Sequence, residues 1–271
     1  MSRLPVSLDH LVAATDAFVD PWRIPDLAQT GLQVRSERGN EQHPIRRVAL
    51  GVSATTDVIN GAGAWGADLL VTHHGMFWGS TRPGYDPATD PASSWDERRV
   101  ALLRHHGMCL ASWHIPLDAH AEVGNNVELA RRLGLTVTAQ DFGGWPGTSA
   151  RLGVRAASPV PLTAEDLRTL ATRAFGGAPI VVPGRPADIR SVAIVSGGAT
   201  RMIHEVIALG LDAWVCGEAE LWSYDLALDA GLTLVVTGHH ASERYGVQAL
   251  GGWLERRFGV ETRFFDEANP F

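Results

Sequence analysis

The stretch IRRVALGVSATTDVINGAGAWGADLLVTHH, residues 45–74, decides the fold. It reads as a short apolar strand, a small polar loop, a helix with apolar spacing, and a second apolar strand that runs to His73. That order is a β-α-β unit. The same register returns 144 positions later, without a gap, as IRSVAIVSGGATRMIHEVIALGLDAWVCGE (189–218). Ile45 pairs with Ile189, Val48 with Val192, Gly66 with Gly210, Asp68 with Asp212 and Val71 with Val215, so the chain carries an internal duplication. The register sets His73 and His74 against Gly217 and Glu218, so polar residues follow the apolar strand in both copies, where open α/β sheets place their ligands. A third switch from strand to polar residues occurs in AGLTLVVTGHHASE (230–243).

Outward from these units, Ser7 to Phe18 sets Leu8, Leu11, Val12 and Phe18 on one helical stripe, a packing helix closed off by Pro21 and Pro25. From Gly143 to Arg190 the chain is richer in Gly, Pro and Ala, and Thr163-x-x-Asp166 is a weak helix-start signal. The fold class expected is α/β, with two α/β lobes built on the duplicated unit. Residues 1–140 form the first lobe, with 247–271 returning to it, and 141–246 form the second.

The 271 residues suffice for two lobes with real cores, and 45% hydrophobic against 20% charged residues is ordinary globular composition. No apolar run approaches the ~18 residues of a membrane span, and Asp9 and Asp16 interrupt the N-terminal stretch where an export signal needs an apolar run. A cytoplasmic protein without membrane association is expected. The net charge of -7 makes a long nucleic-acid track unlikely, because the overall field repels a polyanion. All 23 basic residues are arginine, which excludes a Schiff-base lysine, a Walker lysine and a lysine base. The two cysteines, Cys109 and Cys216, are too few for a thiolate metal site and lie in apolar strand-like surroundings.

Chemistry gathers in four polar clusters: His73-His74, His114 with Asp118, Glu218 with Glu220, and His239-His240 with Glu243. Six of the eleven histidines (the two pairs, His114 and His120) fall in three short windows rich in carboxylates. Imidazole and carboxylate without thiolate suit zinc, iron, manganese or nickel. His239 and Glu243 are four apart, so a helix that begins just after the TGHH strand projects both from one face. Vicinal His73 and His74 point to opposite sides of a regular strand, so both serve one site only if the strand has ended, and Gly75 permits that turn. The loop SGGAT (196–200) reads as a tight turn or an anion cradle. Arg244 reads as a surface or interface arginine or an anion contact. Trp78 and Trp113 lie within five residues of these clusters and read either as buried side chains or as walls of the site on which a heterocycle could stack.

The blocks TGLQV (30–34), GVSATTDVI (51–59), GADLLVTHHGMFW (66–78), HIPLDAHAEVGNN (114–126), CGEAE (216–220) and TGHHASERYGVQAL (237–250) resemble the YbgI-like dinuclear-metal-centre proteins, the Nif3-like GTP cyclohydrolase 1 type 2 homologues. The resemblance covers nearly the whole chain, and the paired blocks THHGMFW and GHHASERYG are its most specific part. It implies two divalent metal ions per chain, with His73, His74, Asp118, His239 and Glu243 as ligands and His114 as an added ligand or a group just outside them. It further implies a cleft site between the lobes and a toroidal homohexamer. Thr30 replaces the usual Asn, Cys216 the usual Thr, and Glu267-Ala268 an apolar-Pro pair, which bears on substrate rather than on metal.

The activity implied is hydrolysis by a metal-bound hydroxide of a small-molecule substrate, a nucleotide or related heterocycle, with His240 or His114 as catalytic proton carrier. The family name points to opening of a purine imidazole ring at C8. The same ligands would also serve a non-catalytic metal-handling protein or a ring-shaped interaction protein.

Overall fold

The computed structural model describes residues 6–26, 28–36, 43–78, 92–185 and 188–271. In chain order the first elements are α1 (Leu8–Val19), β1 (Gly31–Val34), β2 (Arg47–Ser53), α2 (Thr56–Trp65), β3 (Leu69–His74), α3 (Ala92–His105), β4 (Cys109–Ser112), α4 (Ile115–Asp118) and α5 (Asn125–Arg132). There follow β5 (Thr136–Gly144), β6 (Arg151–Leu162), α6 (Ala164–Phe175), β7 (Ile180–Val182), β8 (Ile189–Val195), α7 (Ile203–Ala208), β9 (Ala213–Cys216), α8 (Leu221–Ala230), β10 (Thr233–Val236), α9 (His239–Phe258) and β11 (Glu261–Phe264). Two units result. Unit 1 comprises Met1–Leu117 and Val247–Ala268, and unit 2 comprises Asp118–Gly246 and Asn269–Phe271. The chain passes from one to the other at Leu117/Asp118, and residue 140, near which the composition shifts, lies inside β5.

Unit 1 holds a sheet in the order β1-β4-β3-β2-β11, parallel except for β1. Unit 2 holds β5-β6-β8-β9-β10-β7, in which β8, β9 and β10 are parallel and the others antiparallel. The central strands are apolar on both faces because both faces are covered. In unit 2, Val192, Ile194, Val215 and Val235 join one core with Leu129, Val154 and Leu167. The alternate residues Ala193, Val195, Trp214 and Leu234 join another with Phe142, Ile203 and Ala227. In unit 1, Val58, Ile59, Leu103 and Met108 pack on Ala49, Leu70 and Leu110. The N-terminal helix buries Leu8, Leu11 and Val12, and Phe18 stacks on Trp253 with ring centroids 4.2 Å apart. Thr163 and Asp166 form a complete capping box at the start of α6. Among the described residues no helix is long and apolar enough to cross a membrane.

The duplication is visible in atomic detail. Asp68 Oδ2 accepts the N–H groups of Arg46 and Arg47 at 2.8 and 3.0 Å, and Asp212 Oδ2 accepts those of Arg190 and Ser191 at 3.0 and 2.9 Å. Gly66 and Gly210, each past the end of its helix, both take the left-handed conformation, with φ of 79° and 65°, that glycine adopts without steric cost. Past the next strand, Trp113 N–H donates to Thr72 O at 3.2 Å and Thr237 N–H to Cys216 O at 2.9 Å. Both copies therefore present their strand ends from the same frame.

Burial raises the Asp212 carboxyl, but the N–H groups of Arg190 and Ser191 outweigh it and hold it below the usual range. A depressed folded value contributes stability above the unfolded one and loses it as pH falls through the folded one. Asp212→Ala is thus expected to cost on the order of 1 kcal/mol at pH 7, given its partial exposure. Denaturant midpoints should show the gap to the parent closing below about pH 3.8. A gap independent of pH would mean that the carboxylate charge plays no part.

Candidate functional site

In unit 1 the imidazoles cluster at the carboxyl ends of β3 and β4. His73, His74 and His114 each offer a ring nitrogen, and these nitrogens lie within 4.8 Å of one another, so the three could hold a metal ion. Ring centroids are 4.9 Å apart for His73 and His74, 4.9 Å for His73 and His114, and 5.2 Å for His74 and His114. His73 and His114 are buried and His74 is half-buried.

Each of the three turns its Nδ1 to an outer partner. His73 Nδ1 lies 3.3 Å from the Trp113 carbonyl, His74 Nδ1 lies 3.1 Å from Ser53 Oγ, and His114 Nδ1 lies 2.9 Å from Asp26 Oδ1. A carbonyl or a carboxylate only accepts, so Nδ1 of His73 and His114 carries a proton, and in the neutral ring Nε2 has the lone pair a metal requires. Burial raises the Asp26 carboxyl, yet the His114 hydrogen bond and charge and the N–H groups of Ala28 and Ile115 outweigh it and bring it below the usual range.

Both His73 and His74 belong to β3, contrary to the expectation that the strand ends before they can share a site. The physical reason lies in the pairing. β3 is bonded to β4 only as far as Thr72↔Ser112, while on the other side it continues to Ser53↔His74. Past that pair the β4 side holds His73 through side-chain atoms, with Ser112 Oγ donating to His73 O at 3.1 Å and His73 Nδ1 beside the Trp113 carbonyl, instead of through a backbone ladder, which relaxes the strict alternation of a central strand.

In unit 2, α9 begins at His239, as the TGHH spacing predicts, and His239 Nε2 lies 3.1 Å from Glu243 Oε1 one turn on. His239 Nδ1 lies 2.7 Å from Glu218 Oε1, so the carboxylate that follows β9 orders this ring. Burial pulls the His239 imidazole down, but Glu243 and Glu218 more than offset it and push it up to about 9. Asp118 is buried, and its Oδ1 accepts Asn125 Nδ2 at 2.8 Å and Ser196 Oγ at 3.0 Å. Asn125 Oδ1 in turn accepts Gly246 N–H at 2.6 Å, and Asn126 Oδ1 accepts Ser196 N–H at 2.7 Å. The GNN triplet (124–126) is thereby an ordering device for Asp118.

The remaining expected residues divide between core, turn and the edge of the imidazole group. His240 is 5% exposed, and its N–H donates to Phe271 O at 2.8 Å, so the residue expected to exchange protons is buried. His120 Nδ1 accepts the N–H groups of Glu122 and Val123, both at 3.2 Å, which makes it a turn residue. Trp113 is wholly buried with its Nε1–H on Asp16 Oδ1 at 2.8 Å, and so is core rather than wall. Trp78 is 41% exposed, its ring 5.9 Å from that of His74 and 5.3 Å from that of His114.

SGGAT is a self-satisfied turn. Ser196 N–H donates to Asn126, Gly197 N–H to Ser242 Oγ and Ala199 N–H to Gly197 O, and carboxylates of Glu218 and Glu243 border Gly198 and Gly197. An anion finds no open donors among those three and meets like charge. Arg244 Nη2 donates to Phe175 O at 3.2 Å and Tyr245 Oη at 3.0 Å, a structural use. Both cysteines are buried and unbridged, and burial, then the Glu218 charge, pushes the Cys216 thiol above its usual range.

Sequence reading missed the roles of Asp16, Asp26, Ser53 and Ser196: from distant segments, the last three support His114, His74 and Asp118, and Asp16 supports Trp113. Asp26 stood four positions ahead of TGLQV and carried no signal of its own.

An α/β chain with imidazoles and carboxylates at the ends of parallel strands defines a class: proteins whose strand-end residues could hold a metal ion at the open end of the sheet. The chain belongs to the Duf34/NIF3 (NGG1p interacting factor 3) family, whose model matches residues 6–270. It is 37% identical over 268 residues to a Pseudomonas aeruginosa protein named GTP cyclohydrolase 1 type 2 homolog, covering 98% of this chain and all of that one. A Neisseria meningitidis serogroup B protein of the same name is 36% identical over 245 residues, or 90% of this chain and 91% of that one. Among solved structures, the protein ybgI superposes with a TM-score of 0.86 at 29% identity, covering 98% of this chain and 100% of its own. A protein from Thermus thermophilus gives 0.81 at 31% identity over the same shares.

Proposed function

We propose that the chain is a dinuclear metal-dependent hydrolase acting on a nucleotide or related heterocycle. The observation that carries this reading is the group of His73, His74 and His114, in which every Nδ1 is engaged by an outer partner, so that Nε2 would be the donor to an ion. The donor set proposed for two ions is His73, His74, Asp118, His239 and Glu243, with His114 as the added imidazole. Its chemistry fits divalent zinc, iron, manganese or nickel, because it offers neutral imidazoles and hard carboxylates and no thiolate. Ions so held would supply Lewis acidity and lower the pKa of water toward neutrality.

The chain's own residues do the ordering. Asp26, Ser53 and the Trp113 carbonyl turn the three imidazoles, Glu218 turns His239, and Asn125 and Ser196 hold Asp118. Trp78 offers a half-exposed flat ring beside His74 and His114, a surface on which a heterocycle can stack. The shared name of the relatives supports a purine nucleotide as substrate and ring opening as the reaction.

Elemental analysis of the purified protein, followed by a hydrolysis screen over nucleotides, phosphoesters and formamides with each metal restored, tests the reading. Glu243→Gln removes one anionic oxygen from the donor set and is expected to lower metal content below the parental value. His204→Ala should not, since His204 stacks on Trp222 away from the clusters. Unchanged stoichiometry in Glu243→Gln removes that residue from the set.

A further inference from the structure

Asp26 lies in the segment between α1 and β1, far in sequence from every cluster, yet it is joined to the loop that follows β4 on both of its oxygens. Oδ1 takes the Ala28 N–H at 3.0 Å and faces His114 Nδ1 at 2.9 Å, and Oδ2 takes the Ile115 N–H at 2.9 Å. Backbone N–H groups can only donate, so both oxygens are committed as acceptors and the His114 nitrogen beside them is the donor. That choice decides which His114 nitrogen retains a lone pair.

The same segment grips the other imidazole loop. Gln29 N–H donates to Phe77 O at 2.9 Å, Ala28 bridges Trp78, and Gln33 Oε1 accepts the Met76 N–H at 2.8 Å. One stretch of chain therefore braces both the loop after His73-His74 and the loop that carries His114.

The geometry points to Asp26 as a positioning residue: it holds His114 in the Nδ1–H form and fixes its ring so that Nε2 faces the ion bound with His73 and His74. The inference rests on the metal reading above, although the state of His114 in the metal-free chain does not. A carboxylate that orients a ligating imidazole typically contributes ~10- to 100-fold in metal affinity, and deleting it removes the acceptor that keeps the proton on Nδ1.

The test is made on the full chain stripped of metal. Long-range ¹H–¹⁵N spectra of the histidine side chains, with His114 assigned by the loss of its signals in His114→Ala, should show Nδ1 protonated in the parent. In Asp26→Ala, which removes the acceptor, the Nδ1–H form should lose ground to Nε2–H, and zinc affinity, read by chelator competition, should fall ~10- to 100-fold. Asp26→Glu, which keeps the acceptor, should restore the tautomer in part. An Nε2–H form in the parent overturns the inference even if no variant folds. An unchanged tautomer and unchanged affinity in folded Asp26→Ala overturn it as well. A parent that binds no zinc but shows the expected tautomer shift removes the metal reading and leaves Asp26 as the group that sets the His114 ring.

Discussion

His114→Ala is expected to lower zinc affinity by more than the ~100-fold that marks the upper end for an outer partner, because it deletes an imidazole of the three-histidine group rather than a residue behind it. Chelator competition on the full chain measures the loss, with Asp26→Ala as the smaller step on the same path. The alternative role carried from the sequence, His114 as proton carrier, predicts the opposite pattern: metal retained and turnover reduced by ~10² to 10⁴. Parental affinity with parental turnover would leave His114 with neither role.

Trp113→Ala is expected to destabilise the protein by about 3–5 kcal/mol, the usual range for deleting a wholly buried large aromatic side chain. The substitution also strips the Asp16 carboxyl of its Nε1–H donor and opens a cavity beneath the backbone carbonyl that faces His73 Nδ1. Denaturant unfolding reads the loss, and a value below about 1 kcal/mol would show that the site collapses around the missing ring. Trp113→Phe isolates the donor. Burial raises the Asp16 carboxyl above its usual range, and the Trp113 hydrogen bond restrains that rise. Without it the folded value climbs further, and a raised value gives stability that is present below the unfolded pKa and lost as pH rises through the folded one. The deficit of Trp113→Phe should therefore be smaller at about pH 4 than at about pH 7.

The β-α-β unit at residue 45 and its copy at residue 189 were legible because apolar runs and helical spacing are local signals, and the repeated Asp68/Asp212 and Gly66/Gly210 proved to occupy repeated hydrogen bonds and repeated helix ends. The i, i+4 pair of His239 and Glu243 was legible for the same reason, since helix geometry turns spacing into distance. Asp26, Ser53 and Asp16 were not, because their roles come from pairing between segments tens of residues apart and no periodicity marks them. The burial of Trp113 was hidden as well: a tryptophan just past a strand reads equally as wall or core until its indole finds Asp16. His73 and His74 needed the change from backbone ladder to side-chain bonding at the end of β3, a property of the sheet and not of the dipeptide.

The pairing of β2 with β11 brings Arg47 beside Glu261 and Val48 beside Thr262. Its consequence concerns the order of events on the ribosome. The main segment of unit 2, Asp118–Gly246, is contiguous and is complete before residues Val247–Ala268 of unit 1 are made. At ~5–20 residues per second, β2 therefore waits on the order of ten seconds or more for its outer neighbour. Throughout that interval an apolar strand presents an unpaired edge, the feature most prone to pair with another chain. Nascent chains that stall before residue 261 would expose it, and the last helix and strand then act as the closure that ends the hazard.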